Sequence, residues 1–296
     1  MSKVITRLMG GLGNQMFQYA AGHALARRLA VPLLLDRTFL DQRGPQVTWT
    51  PRHFELGVLR APITFATEAE VRRARLELDD VQHRRWKRLL PMFFKDACFV
   101  ERVRIHDPAF EQLTAPVYLD GYWQNERYFS DTAEALRHEL FLPAAEPAPR
   151  NADLMEQMGS CVSASLHVRR GDYVSLPEAA SFHGVCSVDY YQDSARWLVE
   201  QGVDHFFVFS DDPDWVKTNI DLPGPATHIN HNTGAESHWD LFLMKHCRHH
   251  IIANSSFSWW GAWLGEPAGK IVVAPERWLA GSDAPDGIIP PTWITR

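Results

Sequence analysis

The residues with the most chemical reach fall in short segments that each follow an apolar run. HVRRGDY at 167–173 sets Arg169 and Arg170 beside Gly171 and Asp172. Before it, Val162, Ala164, Leu166 and Val168 alternate with Ser163, Ser165 and His167, the period of a β-strand. The arginines therefore stand at a strand's C-terminal end, where open α/β sheets bind ligands. Paired guanidiniums there suit a phosphate or carboxylate, although an Arg paired with Asp172 on a turn would look the same. FVFSDDPDW at 207–215 ends a second apolar strand in Ser210, Asp211 and Asp212. Such carboxylates can hold a ribose hydroxyl or a base amino group, or cap the next helix with Pro213 in its first turn. One can cap while the other binds.

In HHIIANSSFSWWGAWLG at 249–265 a buried strand runs into Asn254, Ser255, Ser256 and Ser258, with Phe257 among them, ahead of an aromatic helix that ends at Gly265. Hydroxyls together with helix N-terminal amides suit a diphosphate. Trp259, Trp260 and Trp263, at i, i+1 and i+4, fit core packing better than stacking on a ligand. GGLGNQ at 10–15 places Gly10, Gly11 and Gly13 between a strand and a helix, where bare amides can receive an anion or a hydroxyl-rich ligand. It lacks the full G-x-G-x-x-G spacing, so a plain tight turn accounts for it equally. Asn14 and Gln15 add donors and acceptors at the loop's mouth. His246, Cys247, His249 and His250, with His228 and His231 before them, follow no zinc spacing. His249 and His250 begin a strand and point to opposite faces, so no metal site is expected.

The elements that must position these groups alternate. Val4 to Met9 reads as a strand, then comes a helix with Phe17, Ala20, Ala21, Ala24, Leu25 and Leu29 on its apolar face, then a strand from Val31 to Leu35. This β-α-β unit predicts a parallel, doubly wound sheet. Residues 68–90 predict solvated helices, 116–123 a strand, and Ser130 a cap for the helix through Ala135 and Leu140. FLPAAEPAPRN at 141–151 is the linker candidate. It divides the chain into domains 1–150 and 151–296. The second alternation has strands at 162–168, 205–209, 226–229, 249–252 and 270–274, with helices near 188–201 and 237–247. Two Rossmann-like halves facing each other across a cleft are the simplest architecture.

A chain of 296 residues with 45% hydrophobic and 22% charged residues is an ordinary globular composition. The net charge of −6 argues against a nucleic-acid partner and leaves an anionic ligand open, because a few arginines in one cleft set the local field. Cys98, Cys161, Cys186 and Cys247 show no C-x-x-C spacing and read as reduced thiols, hence a cytoplasmic protein. No signal-peptide core or spanning stretch is evident, since Arg27 and Arg28 break the apolar run through Leu35. Peripheral membrane contact stays open.

Five segments together resemble the bacterial α-1,2-fucosyltransferases of glycosyltransferase family 11: GGLGNQMFQYAAG at 10–22, LDGYWQNERYF at 119–129, HVRRGDY, FVFSDD and HHIIANSSFSWWGAWL, in family order from residue 10 to 264. The resemblance implies an α/β, GT-B-type fold, with acceptor binding mainly in the first domain and donor binding mainly in the second. It implies transfer of L-fucose from GDP-β-L-fucose to the 2-hydroxyl of a terminal galactose, in an oligosaccharide or a lipid-linked glycan at the inner membrane face. It also implies that no cofactor or metal is required. Arg169 would then hold the diphosphate, Asp172 would orient the arginines or meet the donor, and His167 would fix the strand end. Asp211 or Asp212 would contact the guanosine, and Ser255, Ser256 and Ser258 the phosphates. Asn14 would lie near the fucose, while Tyr122 and Trp123 would floor a sugar or simply fill the core. The base for an inverting displacement is not named; Asp172, His23 and Glu126 are its candidates. Another GDP-sugar as donor, or a silent nucleotide- or carbohydrate-binding protein, is the alternative.

Overall fold

The computed structural model describes residues 2–41, 52–75, 97–102, 105–171, 184–279 and 287–296. The chain forms two compact units, divided after Leu140. Each is an α/β unit around its own parallel sheet.

In the first unit β1 (Val4–Arg7), β2 (Leu33–Asp36), β3 (Ala97–Val100) and β4 (Val117–Asp120) pair in the order β2-β1-β4-β3, all parallel. Helix α1 (Leu12–Arg28) connects β1 to β2. It is buried around most of its circumference, Gln15 and Gln18 included. Small residues at 20–22, 24 and 26 allow that closeness: a methyl on Gly22 would come within 2.3 Å of Thr6 Oγ1. A second helix, α2 (Glu68–Arg75), buries Val71 and Ala74 and turns its charges outward. Of the predicted 68–90 helices, the rest lies outside the described residues. Ser130 does not cap a helix. It starts a 3-10 turn that continues through Ala133–Ala135 into a wider turn at Leu136–Leu140, and the local hydrogen bond runs instead from the Thr132 hydroxyl to the Phe129 carbonyl, 3.0 Å.

The second unit begins with the linker candidate. Phe141 is fully buried against Trp260 at 5.2 Å, and Pro149 opens helix α3 (Pro149–Ser160), so 141–151 folds with this unit rather than joining two others. The strands β5 (Ser163–Val168), β6 (His205–Ser210), β7 (Ala226–Ile229), β8 (His249–Ile251), β9 (Val272–Ala274) and β10 (Ile294–Thr295) pair in the order β10-β9-β8-β5-β6-β7, parallel throughout. Between them run α4 (Val188–Glu200), α5 (Pro213–Asn219), α6 (His238–His246) and α7 (Ser256–Leu264).

The alternation in β5 does not mark a wet face. Ala164, Leu166 and Val168 pack on Tyr191, Ala195 and Leu198 of α4, while Phe207 and Phe209 of β6 pack toward Leu154 and Met158 of α3 and Leu243 and Met244 of α6. Both faces are covered, and Ser163 and Ser165 are buried because each has a partner. Ser163 Oγ donates to the Met158 carbonyl at 2.8 Å, and Ser165 Oγ lies 2.8 Å from His250 Nδ1. Unpaired hydroxyls there would carry a desolvation penalty. Trp259, Trp260 and Trp263 are core, at most 2% exposed. No described helix is long and apolar enough to cross a membrane.

Candidate functional site

In a doubly wound sheet, ligands bind outside the carboxyl ends of the strands where the strand order reverses. In the second unit that point lies between β5 and β8: from β5 the chain goes on to β6 and β7 on one side, then returns to β8 on the other. Arg169 follows β5, Asp211 follows β6, and Ser255 follows β8 by four residues. Val168 is in register with Ser210 and Leu166 with Ile251. Three motifs remote in sequence thus share one sheet edge.

At that edge two arginines and two aspartates pair crosswise between adjacent strand ends. Arg169 Nη1 lies 3.0 Å from Asp211 Oδ2, with both side chains about three-quarters covered. The Arg170 amide donates to Asp211 Oδ1 at 2.8 Å. Arg170 Nε donates to Asp212 Oδ2 at 3.3 Å, and its guanidinium lies 3.6 Å from the centre of the Trp215 ring. Asp212 also caps α5 by accepting from the Trp215 amide, with Pro213 in the first turn, while the Asp212 amide donates to Ser210 Oγ at 2.9 Å. Both carboxylates are therefore engaged with the protein itself. The arginines pair with Asp211 and Asp212; Asp172 lies outside the described residues. Gly171 is glycine for a local reason, since a Cβ there would stand 2.8 Å from Asp211 Oδ2.

His167, next to last in β5, is buried beside Phe257 with ring centres 6.0 Å apart, and its Nδ1 finds no partner among the described residues. Burial pushes its pKa down to about 4, with Asp211 opposing and Arg169 adding to the effect. The imidazole is neutral at pH 7 and can either donate or accept. Of the hydrogen-bonding residues after β8, two are structural. Asn254 donates to the Trp278 and Gly184 carbonyls at 3.2 and 3.3 Å. Ser258 is fully buried on the carbonyls of Ala253 and Ser255, which removes it from the phosphate-binding set. Ser255 caps α7 by accepting from the Phe257 amide, and Ser256, half-buried in the first turn, makes no hydrogen bond among the described residues. Ser255, Ser256 and Phe257 thus form the accessible N-terminus of a nine-residue helix.

The first unit repeats the scheme. Its order reverses between β1 and β4. The glycine loop follows β1, Tyr122 and Trp123 follow β4, and Gln124 Nε2 donates to Asn14 Oδ1 at 2.8 Å. Gly10 takes the left-handed conformation, φ +72°, with the Asn14 amide packed where a side chain would stand. Gln15 does not face the loop's mouth. Fully buried, it donates to the carbonyls of Gly10 and His53 at 2.9 and 2.7 Å and accepts from the Glu55 amide at 2.9 Å. The anion at this helix N-terminus is the protein's own: Glu55 Oε2 accepts from the Leu12 amide and lies 3.7 Å from the Cβ position of Gly11. Burial raises the Glu55 pKa, opposed by that hydrogen bond, Arg52 and His53.

Trp123 cannot floor a sugar. It is fully buried among Phe99, Phe110 and Tyr128, in the left-handed region at φ +56°, with its amide and that of Tyr122 on the Glu101 carboxylate. Tyr122 is half-buried beside it. His23 is eleven residues beyond Leu12, about 16 Å along the axis from the loop, and is stacked on Tyr19. Glu126 opens a 3-10 turn capped by Asn125.

Sequence reasoning passed over Glu55, Glu101 and Gln124, because nothing periodic marks them and only tertiary folding brings them to the two loops. It also passed over Asp240, which accepts from Asn232 Nδ2 at 2.8 Å at the end of a chain through Asn151 to His231. Burial pushes that carboxyl up to about 7. Among the described residues no group of three His, Cys, Asp or Glu is placed to hold a metal ion.

The model of the family described as "Glycosyl transferase family 11" matches residues 75–294. The Escherichia coli protein named "O-antigen biosynthesis glycosyltransferase WbnK" is 35% identical over 298 residues, covering 93% of this chain and 95% of its own. The E. coli "Alpha-1,2-colitosyltransferase" is 36% identical over 292 residues, 94% of this chain and 93% of its own. Human "Galactoside alpha-(1,2)-fucosyltransferase 1" is 27% identical over 136 residues, 44% of this chain and 37% of its own.

Proposed function

This chain belongs to glycosyl transferase family 11, and we propose that it moves L-fucose from GDP-β-L-fucose to the 2-hydroxyl of a terminal galactose in a glycan, inverting the anomeric centre. The observation that carries the reading is Arg169, held by Asp211 at the switch point of the second sheet beside the open N-terminus of α7. As the glycosyl bond breaks, negative charge grows on the departing diphosphate, and fixed positive groups aimed there lower the barrier. A guanidinium and helix N-terminal amides supply that potential without a metal.

Arg169 would hold the diphosphate, with Ser255, Ser256 and the Phe257 amide on its oxygens and neutral His167 at the strand end. Asp211 acts first on Arg169, fixing its direction, and Asp212 with Trp215 does the same for Arg170. The second unit, from Phe141 onward, would be the donor domain and carry this set. The first unit, up to Leu140, would be the acceptor domain and bring Asn14, Gly11 and Gly13, the two parallel-sheet units being the halves of a GT-B-type fold. The acceptor is an oligosaccharide or a lipid-linked glycan reached from the cytoplasmic side.

The full-length likeness to a protein named colitosyltransferase favours a second reading, with colitose as the transferred sugar. Colitose lacks the 3-hydroxyl of fucose, and a site built to hydrogen-bond a hydroxyl rejects the analogue without it by about 10⁴-fold or more. Donor competition therefore separates the two. The test is a transfer assay with GDP-fucose or GDP-colitose and lactose in excess chelator, following GDP release and product linkage by NMR. A 2-linked α-fucoside supports the first reading and a 2-linked colitoside the second. GDP binding without turnover on a panel of galactosides would point to a silent nucleotide-binding protein instead.

A further inference from the structure

Glu55 is a carboxylate that no periodicity predicts and that the fold takes pains to place. Gln15, fully buried, clips its segment from both sides, donating to the His53 carbonyl and accepting from the Glu55 amide. The Leu12 amide then fixes Oε2. Gly11 lies against the anchored oxygen, its Cβ position 3.7 Å from Oε2, with Arg52 Cδ 3.8 Å from the same point. Oε1 accepts no hydrogen bond among the described residues, and the residue is half-buried rather than enclosed. One oxygen is anchored, and among the described residues the other has no hydrogen-bond donor on it. On the same glycine loop the Asn14–Gln124 amide pair offers groups suited to a hydroxyl-rich ligand.

We propose that Glu55 is the base of the transfer reaction, taking the proton of the acceptor hydroxyl at its second oxygen, Oε1. The proposal rests on the glycosyl-transfer reading above and deepens it. In the step, the acceptor oxygen bonds to the anomeric carbon as its O–H bond breaks toward Oε1. The bond from that carbon to the β-phosphate oxygen breaks with its electron pair, which leaves on GDP. The proton then passes from Glu55 to solvent. Nothing is oxidised or reduced. Burial raises the Glu55 pKa from its ordinary value and makes it a better base than an open glutamate, while Arg52, His53 and the Leu12 amide hold it in check.

A purely structural Glu55, anchoring the start of α1, is the competing account, and Glu55→Gln separates the two because its amide oxygen still accepts from Leu12. With the proposed base removed, kcat falls by about 10²- to 10⁴-fold. The acceptor KM, GDP affinity and Tm stay near those of wild type, and the acid limb of the kcat/KM–pH profile disappears. Glu55→Gln turning over within threefold of wild type, or keeping the acid limb, overturns the proposal. Should Glu55→Gln lower Tm, Glu55→Asp decides. A base displaced by one methylene gives a slower enzyme whose acid limb moves in pH, whereas a limb that does not move overturns the proposal. Wild-type protein that releases no GDP with either donor and any galactoside refutes the transfer reading itself, a result distinct from an active wild type with an equally active Glu55→Gln.

Discussion

Gly171 links the two arginines to the carboxylate that aims them, and Gly171→Ala perturbs that link by one methyl group. An ideal Cβ at 171 stands 2.8 Å from Asp211 Oδ2 and 3.2 Å from its Cγ, where ordinary contact begins at 3.4 Å. The oxygen must withdraw by about 0.6 Å, the difference between those two contact distances. Asp211 is held on its other oxygen by the Arg170 amide at 2.8 Å, so the movement falls on the 3.0 Å pair with Arg169. Opened to about 3.6 Å, that pair no longer meets hydrogen-bond geometry. A misplacement approaching 1 Å at a positioned group costs about 10²-fold in rate, or about 2.7 kcal/mol in the barrier. Stability changes little, since an ion pair with both partners about a quarter exposed is worth up to about 1 kcal/mol and replacing Gly by Ala gains back a similar amount through the unfolded chain. The assay is kcat/KM for GDP release beside Tm, in a cycle with Asp211→Ala. If the clash is the cause, Gly171→Ala costs almost nothing further once Asp211 is truncated. Activity of Gly171→Ala within threefold of wild type, or additive losses in the cycle, would refute the reasoning.

Other outcomes follow from single residues. Arg169→Ala lowers kcat by about 10²- to 10³-fold, the usual loss of one preorganised group on a developing charge, with Tm nearly unchanged; activity close to wild type would remove Arg169 from the mechanism. Gln15→Ala leaves the Gly10 and His53 carbonyls and the Glu55 amide without their partner and lowers stability by on the order of 3 kcal/mol in urea unfolding. Asp240, raised from 3.8 to about 7 by burial, is favoured in its neutral form by the fold. Its contribution is therefore present at acid pH and lost as pH rises from its ordinary value through about 7. Asp240→Asn, read by thermal unfolding, should exceed wild type in Tm at pH 8 and match it near pH 4; a constant offset across that range would contradict the assignment.

Much of the fold was legible. The strands at 205–209 and 226–229 and the helices near 188–201 and 237–247 lie where apolar periodicity puts them, because a run alternating between core-facing residues and turn signals has few other ways to bury itself. The linker read at 141–151 rests on its prolines, and one of them, Pro149, opens α3 rather than interrupting the chain. The alternation in β5 announces a strand but not which faces are covered, and both are, because Ser163 and Ser165 meet partners that no local pattern can announce.

The same division runs through the candidate site. By itself the sequence determined which residue types stand at the strand ends, since a strand followed by Arg169, by Asp211 or by Ser255 can be read from periodicity and turn chemistry alone. Which of them meet was decided only by the tertiary structure. Parallel pairing in the order β8-β5-β6 puts Asp211 on Arg169 and Asp212 on Arg170, and clipping by Gln15 brings Glu55 across 43 residues to the Leu12 amide. Periodicity is a property of neighbours along the chain. A carboxylate's partner, its burial and its pKa are set by whatever the folded chain packs against it.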